Sequence, residues 1–208
     1  MRQRKRMATI GIAIVAVAVL LGGGLAVLLD GSKQEALGGN KLPAGIDRRP
    51  APGFRLADAR GGSFGTGELA GKPYAITFLY THCKDVCPLI GEELHQALEH
   101  LGPQAKKTAI VAVSVDPKGD TRSSVRAWLR AHHEPRNFHY LLSTRAELEP
   151  VWRGYFVGPQ PEKSGESRHS ASVWLVDARG RWRAHYSAGA PFAPKDVAHD
   201  LRVLIDRG

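Results

Sequence analysis

Between Tyr74 and Leu101 the hydrophobic period changes once, and both cysteines of the chain fall at the change. Tyr74-Ala75-Ile76-Thr77-Phe78-Leu79-Tyr80 is a compact, β-rich apolar run, the mark of a strand buried on both faces. After Pro88 the apolar positions are Ile90, Leu94, Ala97, Leu98 and Leu101, which is helical spacing, and Gly102-Pro103 ends it. A strand that feeds straight into a helix belongs to a layered α/β fold. The flanking sequence extends the pattern. Phe54–Leu56 and Ser63–Phe64, around Asp58–Gly62, predict a short hairpin. Thr108–Val115 is a second buried strand, and Val125, Trp128, Leu129 and His132 mark a second helix. Phe138–Leu142 reads as a third strand, and Thr144 with Glu147 opens a third helix toward Tyr155, with Pro150 inside it. Ser172–Asp177 and Trp182–Tyr186 form a closing hairpin, and Pro194 starts a last helix carrying Val197, Leu201, Leu204 and Ile205.

The N-terminus is of another kind. Ala8 to Leu29 is 22 residues without a charge; as a helix it is about 33 Å long, enough to cross a bilayer. It lacks an A-x-A cleavage pattern and is longer than a signal-peptide core, so it is expected to be an uncleaved anchor. Arg2, Arg4, Lys5 and Arg6 should hold the tip in the cytoplasm and place everything after Asp30 on the extracytoplasmic side. The expected organisation is a basic tip and transmembrane helix over 1–30, a flexible linker over 31–49 and one folded domain over 50–208. The formal charge of +9 is partly this tip. The other basic residues are scattered without a run, which speaks for a solvated surface and against nucleic-acid binding.

The order hairpin, β-α-β-α-β-α, β-hairpin-α predicts a central mixed sheet flanked by helices, and resembles the thioredoxin-like arrangement. Cys83 and Cys87 then sit beyond the carboxyl end of the first long strand, where open α/β sheets bind ligands. A helix N-terminus there lowers thiol pKa. If the segment is helical, positions i and i+4 share a face, so the two thiolates could close a disulfide or hold one soft metal ion, Cu(I) or Zn. A metal needs a further ligand. His169, just before the strand Ser172–Asp177, lies in the loop that faces the cysteines in a thioredoxin-like sheet. His82 is the competitor, and the other histidines read as ordinary surface or half-buried residues.

Three segments in order, Tyr80-Thr81-His82-Cys83-Lys84-Asp85-Val86-Cys87-Pro88, Ser114-Val115-Asp116-Pro117-Lys118-Gly119-Asp120-Thr121 and His169-Ser170-Ala171, resemble the Sco/SenC family of membrane-anchored copper proteins. The resemblance covers about the whole domain. It implies copper, as Cu(I) or Cu(II), on Cys83, Cys87 and His169, with Asp85 and Asp116 as supporting or docking groups. It also implies delivery of copper to, or upkeep of the thiols in, the copper centre of a respiratory cytochrome c oxidase, or of another copper protein. Two departures add positive charge near the site: Lys84 stands where the family usually has proline, and Arg168 where it often has an acid. The alternative is an extracytoplasmic thiol–disulfide oxidoreductase in which Cys83 attacks and Cys87 resolves. A peroxidase reading finds no Pro-x-x-x-Thr-x-x-Cys pattern.

Overall fold

The structure, a computed structural model, describes residues 37–39, 42, 45–158, 172–187 and 192–208. The stretch Ala8–Leu29, the basic tip and His169 lie outside the described residues. Among the described residues no helix is long and apolar enough to cross a membrane.

Among the described residues seven strands form one sheet: β1 (Arg55–Asp58), β2 (Ser63–Gly65), β3 (Tyr74–Leu79), β4 (Ala109–Ser114), β5 (Phe138–Leu142), β6 (Ser172–Val176) and β7 (Trp182–Ser187). Their order is β2-β1-β5-β4-β3-β6-β7. The β3–β4 and β4–β5 pairs are parallel, and all others are antiparallel. The sheet is therefore mixed, as the element order requires. Four helices are described: α1 (Val86–Leu101), α2 (Arg122–Ala131), α3 (Arg145–Gly154) and α4 (Pro194–Asp206); a 3-10 segment, Gly102–Lys107, follows α1.

The two central strands are buried along their whole length, because both faces are covered. Alternate residues go to opposite sides. Ala75 and Leu79 meet α1, α2 and α4 in one apolar cluster, while Tyr74, Ile76 and Phe78 meet α3 in the other. Helix α1 begins two residues before Pro88, so Cys87 falls in its first turn. Proline is tolerated there because the first turn has no intrahelical use for its N–H. The capping box of Thr144 and Glu147 forms as expected; a second, Thr121 with Ser124, starts α2.

The segment ahead of β1 is fastened along the edge strand β7. The N–H groups of Gly38 and Gly39 donate to Asp200 on α4 at 2.7 and 3.1 Å, Arg48 N–H donates to the Trp182 carbonyl, and Pro50 bridges Arg181. A strap over an edge strand removes a template for unwanted strand pairing.

Candidate functional site

The six residues Tyr80–Asp85 carry the chain from β3 into α1 at the carboxyl end of the sheet. Cys83 precedes the helix and Cys87 lies inside it, so the pair is not stacked on one helical face as simple i, i+4 spacing supposes. The approach is made differently: the backbone N–H of Cys87 donates to Cys83 Sγ at 3.5 Å. Asp85 is the N-cap residue, yet its carboxylate makes no capping hydrogen bond. One of the helix's free N–H groups is thus taken by a sulfur instead. Both cysteines are free thiols, Cys83 9% exposed and Cys87 wholly buried.

Their environments push them apart. Burial raises the Cys83 thiol, but the N–H groups of Cys87 and Asp85, with hydrogen bonds from the Cys87 thiol and the Tyr80 hydroxyl, outweigh it and hold the pKa below the usual thiol value. Burial raises Cys87 strongly, and the neighbouring Cys83 and the field of Asp120 add to the rise. The chemistry is that of a less buried, ionisable sulfur backed by a protonated, hidden one. Tyr80 closes the group: burial, the charge and hydrogen bond of Cys83, and the charges of Cys87 and Asp116 push its hydroxyl up to about 12.

The loop is held from beneath by Asp120, a residue to which the sequence pattern assigned no role. Its buried carboxylate accepts from Thr81 N–H (2.8 Å), Thr81 Oγ1 (2.7 Å), Ser114 Oγ (2.6 Å) and Tyr140 Oη (3.2 Å). Burial raises its pKa against these four donors. The signal in the sequence was its place four residues after Asp116 in the Asp116–Asp120 segment. That residue, 5% exposed, accepts from Gly119 N–H at 2.9 Å and so shapes the turn that presents Asp120. Asp85 and Lys84 are exposed. His82 is exposed, with Nδ1 3.4 Å from Thr81 Oγ1. Two histidines read as ordinary have acidic neighbours: His139 Nδ1 is 2.7 Å from Asp58, and His95 Nδ1 is 3.4 Å from Glu134. Among the described residues no three His, Cys, Asp or Glu side chains are grouped to hold a metal; the expected third ligand, His169, lies outside them.

With this geometry in view, four likenesses bear on the chain. The family model described as SCO1/SenC matches residues 47–206. An SCO2-like protein of Rickettsia conorii is 26% identical over 155 residues, covering 72% of this chain and 74% of that one. Among solved structures, Bradyrhizobium japonicum ScoI with copper bound is 31% identical over 74% of this chain and 99% of its own, with a TM-score of 0.65. A SCO1/SenC family lipoprotein from Bacillus anthracis, at 23% identity, covers 79% of this chain and 99% of its own with a TM-score of 0.69, and so shares the fold.

Proposed function

The chain belongs to the SCO1/SenC family, and we propose that it carries copper as cargo on Cys83, Cys87 and His169 and hands it to the copper centre of a respiratory cytochrome c oxidase. In this reading Ala8–Leu29 anchors the protein in the cell membrane by a single pass, with the domain on the extracytoplasmic side. The observation that carries the proposal is the sulfur pair. Cys83 and Cys87 are linked by a backbone N–H at the start of α1, and their softness suits copper. The copper-bound Bradyrhizobium japonicum structure supports copper as the ion. An imidazole would complete a set of two sulfurs and one nitrogen. Exchange for thiolates of the recipient would then pass the ion on.

The test is copper titration of the full chain and of its His169→Ala variant, with and without reductant. His169→Ala should bind copper far more weakly, Cu(II) more than Cu(I), because two thiolates still suit Cu(I). Reduction of an unrelated disulfide should change little.

One observation favours a second reading, thiol–disulfide exchange: the lowered pKa of the less buried Cys83 beside the raised one of Cys87. It fits a sulfur that attacks and a sulfur that resolves. Unchanged copper affinity in His169→Ala, with reductase activity lost, would favour this reading.

A further inference from the structure

Helix α2 carries Arg122, Arg126 and Arg130 at four-residue spacing, all exposed, and no acid lies between Thr121 and His133. Residues four apart on a helix are neighbours, and like charges there repel. Among the described residues none of the three has an ion-pair partner. Beside this row, the turn after β1 places Arg60. Its guanidinium donates to three carbonyls, those of Pro135, Phe138 and Glu134, each at 2.8 Å. Arg126 Nε donates to the Ala59 carbonyl at 2.6 Å. Both guanidiniums are thus held in place by neutral oxygens; the two carboxyl groups whose charge acts on Arg60, those of Asp58 and Glu134, are buried.

Between them lies a cleft of about 450 Å³ lined by Arg60, Arg126, Leu129, Arg130, His133 and Glu134. Glu134 is the one acid among these lining residues. The carboxyl is fully buried and turned toward His95 on α1. Burial, with the charge of Glu92, pushes its pKa up to about 8 against the opposing charge of Arg60. His133 lines the cleft from an unusual backbone position, φ +52°. Its N–H donates to Arg130 and that of Glu134 to Leu129, the hydrogen-bond pattern of a helix end where glycine is usual. An imidazole kept at such a position adds a donor to the cleft.

We propose that the cleft between the Arg60 turn and α2 docks an acidic segment of a partner protein, with a carboxylate held between Arg126 and Arg130. Guanidinium forks match carboxylates in two-point contacts, and prior fixing of Arg126 lowers the ordering cost of binding. A recess suits an inserted side chain better than a planar lipid surface does. Membrane-surface helices pair basic residues with exposed apolar ones, whereas the exposed large hydrophobics described, Leu89 and Phe156, lie on neither α2 nor the Arg60 turn. The site is independent of the copper reading.

The test uses the full chain in discs of neutral lipid and a fluorescent hexaglutamate peptide, read by anisotropy at low ionic strength. The double variant R126Q/R130Q should bind at least tenfold more weakly. R122Q/R130Q, which leaves the Arg126–Ala59 bond intact, should also weaken binding. R179Q/R181Q, which removes the same charge at the opposite edge of the sheet, should stay within twofold of the parent. No peptide binding by the parent, or equal weakening by both ends of the sheet, would overturn the proposal. Phenylglyoxal labelling read by mass spectrometry separates lipid from protein. Arg126 and Arg130 should be shielded by the peptide; shielding by phosphatidylglycerol discs alone would overturn the proposal in favour of lipid. Copper loading should be unchanged in every variant, so failure here and failure of the metal reading are distinct.

Discussion

The carboxylate of Asp120 accepts both the backbone N–H and the hydroxyl of Thr81, two residues ahead of Cys83. It also accepts from Ser114 at the end of β4 and from Tyr140 on β5. One side chain therefore joins the cysteine loop to two parallel strands. Its position under the loop fixes where the sulfurs stand relative to the sheet.

Asp120→Ala should destabilise the domain by about 3 kcal/mol, because it strands the buried hydroxyls of Ser114 and Tyr140 and releases the two donors of Thr81. Urea unfolding measures this. In native conditions the loosened loop should also raise the alkylation rate of Cys87, which is otherwise hidden. A variant as stable as the parent, with Cys87 still protected, would show that the loop is held by something else.

Alkylation of the reduced protein should label Cys83 first, since the thiolate is the reactive form. Its rate should rise with pH through a midpoint below that of an ordinary free thiol. Cys87, kept protonated by burial, has the opposite linkage. As pH climbs past the ordinary value, the unfolded chain releases that proton and the folded one does not, so stability falls. Cys87→Ala should flatten this alkaline loss in denaturant midpoints measured between pH 7 and 10. Equal labelling of both thiols would contradict the asymmetry.

Helices α1 and α2 meet at Gly91. A Cβ there would stand 2.6 and 3.0 Å from two ring carbons of Trp128, and that indole is packed between Phe138 and Tyr140. Gly91→Ala should cost about 1–3 kcal/mol by overpacking, in spite of the higher helix propensity of alanine. Trp128→Phe should recover part of the loss if the indole is the obstacle, and no recovery would place the clash elsewhere.

Asp200 is buried and binds three donors: Gly38 N–H, Gly39 N–H and Tyr186 Oη. Asp200→Ala should free the strap and cost about 2–3 kcal/mol. Limited proteolysis should then cut near Gly38-Gly39 faster than in the parent. Gly39→Val should act in the same direction, because even a Cβ would meet Ala184 at 2.9 Å. An unchanged cleavage rate in both would mean that the strap is held by other contacts.

The strand–cysteine–helix passage, the hairpins and the capping box at Thr144 were legible in the sequence alone. Each depends on residues within a few positions of one another: an apolar period of two or 3.6, a Gly-Pro stop, a hydroxyl three residues ahead of a carboxylate. Only the tertiary structure decided that Cys83 Sγ meets the N–H of Cys87 from outside the helix. It also decided that Asp120, rather than Asp116, holds the loop, and that Arg60 is brought beside Arg126. Those contacts join segments up to 67 residues apart, through strand crossovers that place β5 beside β1 and β4 beside β3. Sequence periodicity records which face of an element is apolar. Which polar side chains then find each other depends on the sheet order, because a buried donor bonds whatever acceptor the packing brings within about 3 Å.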